Sequence, residues 1–137
     1  MALEAYSLAK DGGRRLSANF TVREFACLDG SDPVFVDSEL VRVLQNIRDH
    51  FGKPVVITSA YRTAVHNKAV GGAKYSQHCY GRAADIRVAG VTVEQLAAYA
   101  EKLLPDTGGI GRYPVRSGRP TGWVHVDVRA AKSRWKG

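Results

Sequence analysis

The 137-residue chain has no run of about eighteen apolar residues, the length a helix needs to span a bilayer. Its first residues, Met1 to Ser7, contain no basic segment followed by an apolar core, so no secretory signal is expected. It has only two cysteines, Cys27 and Cys79. Two cannot define a disulfide framework, and their separation rules out a zinc-binding Cys pair, leaving one bridge or two free thiols. There is no internal repeat, linker or low-complexity stretch. One domain over residues 1–137 is therefore expected, with 1–16 and 130–137 at its periphery.

The composition is that of a soluble globular protein, 45% hydrophobic and 24% charged, with a formal net charge of +7. Such a charge favours an anionic partner without choosing between nucleic acid, membrane surface and wall polymer. The basic residues are scattered except near the end, where Arg129, Lys132, Arg134 and Lys136 surround Trp135. That tail either touches a polyanion or frays. Zinc-finger spacing, a helix-turn-helix signature and aromatic stacking motifs are all absent, so no nucleic-acid partner is expected.

Local patterns predict the elements. A strand or coil over residues 1–19 is followed by a short helical turn at Phe20–Phe25. Asp37 caps a helix through Phe51 with Leu40, Leu44, Ile47 and Phe51 as its apolar stripe, and Gly52 ends it. Val55–Thr58 reads as a buried strand and Thr63 to Val70 as a short helix. Thr92 and Gln95 form a capping box that opens a helix to about Leu104. Gly108–Tyr113 and Trp123–Val128 read as strands joined through the turn-rich residues 116–122. The fold class is α+β, a small antiparallel sheet with helices packed on one face.

Chemistry concentrates in two stretches, Ser76–Val88 and Trp123–Val128. His78 and Asp85 lie seven residues apart, with Gly81 letting the backbone turn between them. Alternate side chains of a strand share a face. Ala83, Asp85 and Arg87 therefore face one way, while Trp123, His125 and Asp127 share the polar face of the other strand. If the two strands pair, Asp85 and His125 project together and His78 reaches in from its loop. Two imidazoles and a carboxylate leave a tetrahedral Zn2+ one position short, the arrangement of a catalytic metal. The competing reading makes these histidines structural, and makes Arg62 a surface ion pair.

Ser76-x-His78-x-x-Gly81-x-Ala83-x-Asp85 followed by His125-x-Asp127 resembles the M15 zinc D-Ala-D-Ala carboxypeptidases and related peptidoglycan endopeptidases of the Hedgehog/DD-peptidase fold. The resemblance continues through Ser59-Ala60-Tyr61-Arg62 and Gly109–Tyr113, covers most of residues 17–129, and is nearest to small single-domain phage or prophage members. It implies that His78, Asp85 and His125 bind zinc and that Arg62 holds a substrate carbonyl or carboxylate. Ser76, Gln77 and Tyr113 would contact substrate, with Tyr61, Tyr80 and Trp123 as further groove candidates. Many relatives carry a Glu or His general base shortly before the last zinc ligand. Here Arg119–Val124 offer none, so Asp127 is the candidate base or the partner that holds an imidazole N–H.

Three functions follow as expectations. The first is a zinc peptidase cutting peptidoglycan stems or cross-links at a D-amino-acid bond, made in the cytoplasm and acting on the wall after release or export, as a monomeric endolysin would. The second is a non-catalytic, zinc-stabilised wall-binding module, and the third a nucleic-acid binder suggested by charge alone.

Overall fold

The computed structural model describes residues 2–137. The chain runs through β1 (Leu3–Tyr6), α1 (Leu8–Asp11), β2 (Arg15–Ser17), β3 (Phe20–Thr21), a 3-10 turn at Val22–Phe25, β4 (Val34–Asp37) and α2 (Ser38–Phe51). It continues with β5 (Val55–Ser59), α3 (Ala64–Ala69), a second 3-10 turn at Gln77–Tyr80, β6 (Ala83–Val88), α4 (Val93–Leu103), β7 (Gly109–Tyr113), β8 (Trp123–Asp127) and β9 (Ser133–Lys136).

Five strands form the central sheet in the order β5-β6-β8-β7-β9. Its neighbours are antiparallel except for β7 and β9, which pair in parallel. Ala84, Ile86, Ile110, Val124 and Val126 point from one face into the core, where they meet Leu40, Leu44 and Ile47 of α2 and Leu96, Ala97 and Ala100 of α4. Each buried Leu or Ile contributes about 1.5–3 kcal/mol relative to exposure, so these stripes hold both helices on the sheet. Capping then sets where the helices end. The Asp37 carboxylate accepts the Glu39 N–H at 2.9 Å, Gly52 closes α2 in the left-handed region, and Thr92 and Gln95 form the capping box of α4.

Three expectations change. The strand expected at Val55–Thr58 is not a buried one; as Val55–Ser59 it has only Val55 buried. It forms the sheet edge, and Val56 is 44% exposed. The first residues, a strand or coil expected to be mobile, are tied down, because β1 pairs with β4 along its whole length. The C-terminal residues become β9 instead of a loose basic tail. Arg134 accounts for much of that. Its guanidinium donates to Glu101, to the Leu104 carbonyl left open where α4 ends, and to the Gly108 carbonyl, which also accepts the Ser133 N–H of β9. Arg129 is likewise paired, with Asp127. Two of the four tail cations are therefore occupied within the protein.

The opposite face of the sheet carries the polar row. Ser59, Asp85, His125, Gly111 and Trp135 stand in register across the five strands. Gly111 keeps that row open, because a Cβ there would lie 2.5 Å from two atoms of the Trp135 ring. Gly111→Ala is expected to push Trp135 off the sheet, break its 2.8 Å hydrogen bond to the Tyr113 hydroxyl and cost about 1–3 kcal/mol. Urea unfolding and near-ultraviolet circular dichroism would measure both effects. No helix among the described residues is long and apolar enough to cross a membrane.

Candidate metal centre

Strand register brings the two halves of the site together. Asp85 on β6 is the direct cross-strand partner of His125 on β8, so both side chains rise from the polar face. His78 arrives from the 3-10 turn, where its own backbone N–H donates to the capping Ser76 Oγ at 3.2 Å. Gly81 ends that turn at φ 69°, where a Cβ would strike the Phe35 carbonyl oxygen at 2.6 Å. The backbone N–H of Arg62 donates to the His78 carbonyl at 3.1 Å and locks the end of the β5 segment to the same turn.

One donor atom from each of His78, Asp85 and His125 lies within 4.8 Å of the others. Asp85 Oδ1 is 3.3 Å from His78 Nε2 and 3.1 Å from His125 Nδ1. The outward nitrogens of both rings are already assigned. His78 Nδ1 faces the Ala60 carbonyl at 2.7 Å and must donate to it. His125 Nε2 faces Asp127 Oδ2 at 2.7 Å and donates likewise. These bonds leave His78 Nε2 and His125 Nδ1 as the inward lone pairs, which is how partners behind a ligand select its tautomer. Two imidazole nitrogens aimed at one carboxylate oxygen in a nearly dry site require shared protons or a cation, and this donor set suits a divalent metal.

The local charges agree. Burial acts to raise the Asp85 pKa, but hydrogen bonds and charge from His125 and His78 outweigh it and hold the carboxyl well below its usual range. Burial acts to lower the His125 pKa, and the Asp127 and Asp85 carboxylates on either side of the ring overcome it, raising the pKa.

Arg62 closes the other side of Asp85, with Nη2 at 3.5 Å from Oδ2. Its guanidinium is held from behind: Nε donates to Ser59 Oγ at 3.0 Å and Nη1 to Asn67 Oδ1 at 3.2 Å. Asn67 is buried and donates in turn to the Ala73 carbonyl at 2.8 Å.

Asp127 stands behind His125, away from the donor cluster, and is fully buried. Its Oδ1 accepts from the backbone N–H groups of Gly109 and Arg129 and from Arg129 Nε; its Oδ2 accepts from His125 Nε2 and Arg129 Nη2. Five donors saturate both oxygens.

Above the donors lies a cleft of about 460 Å³. It is lined by the segment 70–77, Lys74 excepted, and by Tyr113, Trp123, Arg129 and Trp135. Tyr113 and Trp123 stack at 4.8 Å, and Trp135 lies 4.9 Å from the His125 ring. Ser76, Gln77 and Tyr113 thus share the cleft with Arg62 and the three donors. Gln77 Oε1 is a buried oxygen without a hydrogen-bond partner among the described residues. Tyr61 packs edge-on against Phe35 instead, and Tyr80 does not line the cleft. Cys27 and Cys79 are both free thiols, and burial raises the Cys79 pKa.

The family model described as Peptidase M15 matches residues 18–127. The chain belongs to the M15 peptidase family. The match contains Arg62, the three donors and Asp127, while Trp135 lies beyond it. A Haemophilus influenzae relative, "Probable peptidoglycan L,D-endopeptidase MepK", is 32% identical over 110 residues, covering 74% of this chain. The chain spans 55% of that relative's length.

Sequence reasoning placed Arg129 and Trp135 in a basic tail and not at the site, and passed over Asn67. A signal existed for Arg129, which follows Asp127 at the two-residue spacing of a shared strand face. Asn67 had none although Arg62 and Ala73 lie only five and six residues away, because its contacts depend on how the chain turns into and out of α3, and Trp135 had none because Tyr113 is remote in the chain.

Proposed function

We propose that this M15 peptidase is zinc-dependent and hydrolyses peptide stems or cross-links of bacterial peptidoglycan, at a bond involving a D-amino acid. The observation that carries the proposal is the convergence of His78, Asp85 and His125 beside an independently anchored Arg62, on the floor of an open cleft. The Haemophilus relative's name supports peptidoglycan as substrate and favours internal cleavage over trimming of a terminus. A net charge of +7 fits action at an anionic cell wall.

His78 Nε2, Asp85 Oδ1 and His125 Nδ1 are the atoms that would hold zinc. The chemistry zinc supplies when bound is Lewis-acid polarisation of a carbonyl and a nucleophilic hydroxide at neutral pH. The protein's own groups do the rest. Ala60 and Asp127 keep the two rings in the ligating tautomer. Arg62 offers N–H donors to the scissile carbonyl oxygen as negative charge grows on it, or grips a stem carboxylate through its fork. Gln77 Oε1 accepts a substrate N–H, the Ser76 hydroxyl donates to a substrate carbonyl, and Tyr113 with Trp123 supports the peptide. Asp127 acts as a positioning residue, since its saturated oxygens have no lone pair for a proton.

A second reading has one observation in its favour. Among the residues lining the cleft, no carboxylate or imidazole stands outside the donor triad, which fits a zinc-stabilised module that binds the wall without cutting it. Mass spectrometry of purified peptidoglycan after incubation with zinc-loaded protein decides between them. New stem-peptide ends that disappear with a chelator are expected, and their position names the bond. Protein that sediments with the wall and leaves every stem intact would establish the binding module instead.

A further inference from the structure

A second group of metal donors lies outside the cleft. Cys27 follows the first 3-10 turn, Asp29 comes two residues later, and His66 stands on α3. One donor atom from each, a thiol sulfur, a carboxylate oxygen and an imidazole nitrogen, lies within 4.8 Å of the others. Nothing in the chemistry of the cleft uses these residues.

Several bonds fix the group. The Tyr61 N–H donates to the Phe25 carbonyl at 3.1 Å, pinning the chain before Cys27 to the segment that leads into α3. Thr63, the cap of α3, links the other two residues. Its Oγ1 donates to Asp29 Oδ2 at 2.9 Å and accepts the His66 backbone N–H at 3.1 Å. Asp29 Oδ1 accepts the Ser31 N–H at 2.9 Å, which sets the carboxylate plane. The Ser31 and Cys27 side chains also hydrogen-bond to this carboxylate, so the thiol already points at Asp29, and loss of its proton would free that acceptor position for a cation. Cys27 is 3% exposed whereas Asp29 is open to solvent, so the group has a dry side and a wet entrance.

We propose that Cys27, Asp29 and His66 form a second divalent-metal site, of the zinc class, that staples the loop after the first 3-10 turn to the start of α3. A soft sulfur with an imidazole and a single carboxylate selects zinc, cobalt or nickel over magnesium or calcium, which take oxygen ligands. On binding, the Cys27 S–H bond is broken, its proton leaves to solvent, and the sulfur lone pair forms the bond to the metal. Thiolate and carboxylate then neutralise the divalent charge, and solvent takes the remaining position at the open side. Because Thr63 directly follows Arg62, the staple anchors the backbone next to the cleft arginine.

Cobalt distinguishes the two sites. The cleft donors include no sulfur, so a thiolate-to-cobalt charge-transfer band in the near-ultraviolet reports only on the second site. Titration of metal-free protein with Co2+ is expected to show two bound equivalents per chain and this band. Cys27→Ser should abolish the band and keep the first equivalent, and Cys79→Ser should change neither. His66→Ala should weaken the second equivalent by more than about tenfold. One equivalent with no band in the wild type overturns the proposal, as does a band that survives Cys27→Ser. Where circular dichroism finds Cys27→Ser misfolded, the partly exposed His66 decides: an unchanged second equivalent in His66→Ala overturns the site. None of these readouts depends on hydrolysis, so failure here leaves the cleft reading untouched.

Discussion

Asp127→Ala is expected to destabilise the protein by about 2–4 kcal/mol, because it leaves the buried N–H groups of Gly109 and His125 without their acceptor and the partly buried Arg129 guanidinium without its partner. The carboxylate is fully buried and is the common partner of Gly109, Arg129 and His125. Its loss frees the His125 ring to turn or change tautomer, and zinc affinity should fall by about 10–100-fold, the usual consequence of removing a partner behind a metal ligand. Asp127→Asn keeps the shape and one good acceptor, but its amide N–H₂ must face either Arg129 or the imidazole N–H. It should fall between wild type and Asp127→Ala on both scales. Urea unfolding of the metal-free proteins and competition titration with a zinc chelator measure the two effects separately. Loss of hydrolysis with stability and zinc affinity both intact would make Asp127 the proton acceptor and reverse the positioning role.

Arg62→Lys should lower kcat/KM on a peptidoglycan stem peptide by about 10²–10³, the scale for removing one preorganised oxyanion donor. A lysine keeps the charge and loses the fork. Ser59 Oγ and Asn67 Oδ1 each take one N–H of the guanidinium from behind, leaving Nη2 directed at Asp85 and the cleft. One ammonium group cannot satisfy both anchors and still present a fixed donor forward. Zinc content, measured by atomic absorption, should stay at the wild-type value because Arg62 is not a donor to the metal. A wild-type kcat/KM in Arg62→Lys would show that charge alone suffices, and loss of zinc would show that Arg62 acts by holding Asp85.

Much of the fold was legible because it is written in local patterns. The apolar stripe of α2, its Asp37 and Gly52 ends, and the capping box of α4 depend on residues within a few turns of one another. The alternation in β6 and β8 likewise states which face Asp85 and His125 share before any partner is known. The convergence of Asp85 and His125 was readable for the same reason. Two strands with one polar face each, once paired, have few ways to place those side chains.

Other features belong to the tertiary structure alone. Whether Val55–Ser59 lies at the centre or edge of a sheet depends on which strands crowd beside it, and β6 flanks it on one side only. A basic tail with Trp135 reads as a loose end until Gly111 opens space for the ring and the end of α4 presents the Leu104 carbonyl to Arg134. Asp127 carries the same sequence pattern whether it takes protons or holds a ring; only the fold shows that Gly109 and Arg129 close around its oxygens, which is what supports the positioning role proposed for it. Cys27, Asp29 and His66 meet only because Phe25 and Tyr61 hydrogen-bond across the fold. Sequence alone determined the faces and ends of elements, since those follow from neighbours along the chain. Which remote groups use up one another's lone pairs and free space was decided by the packed whole, because such contacts exist only after the core has brought distant segments together.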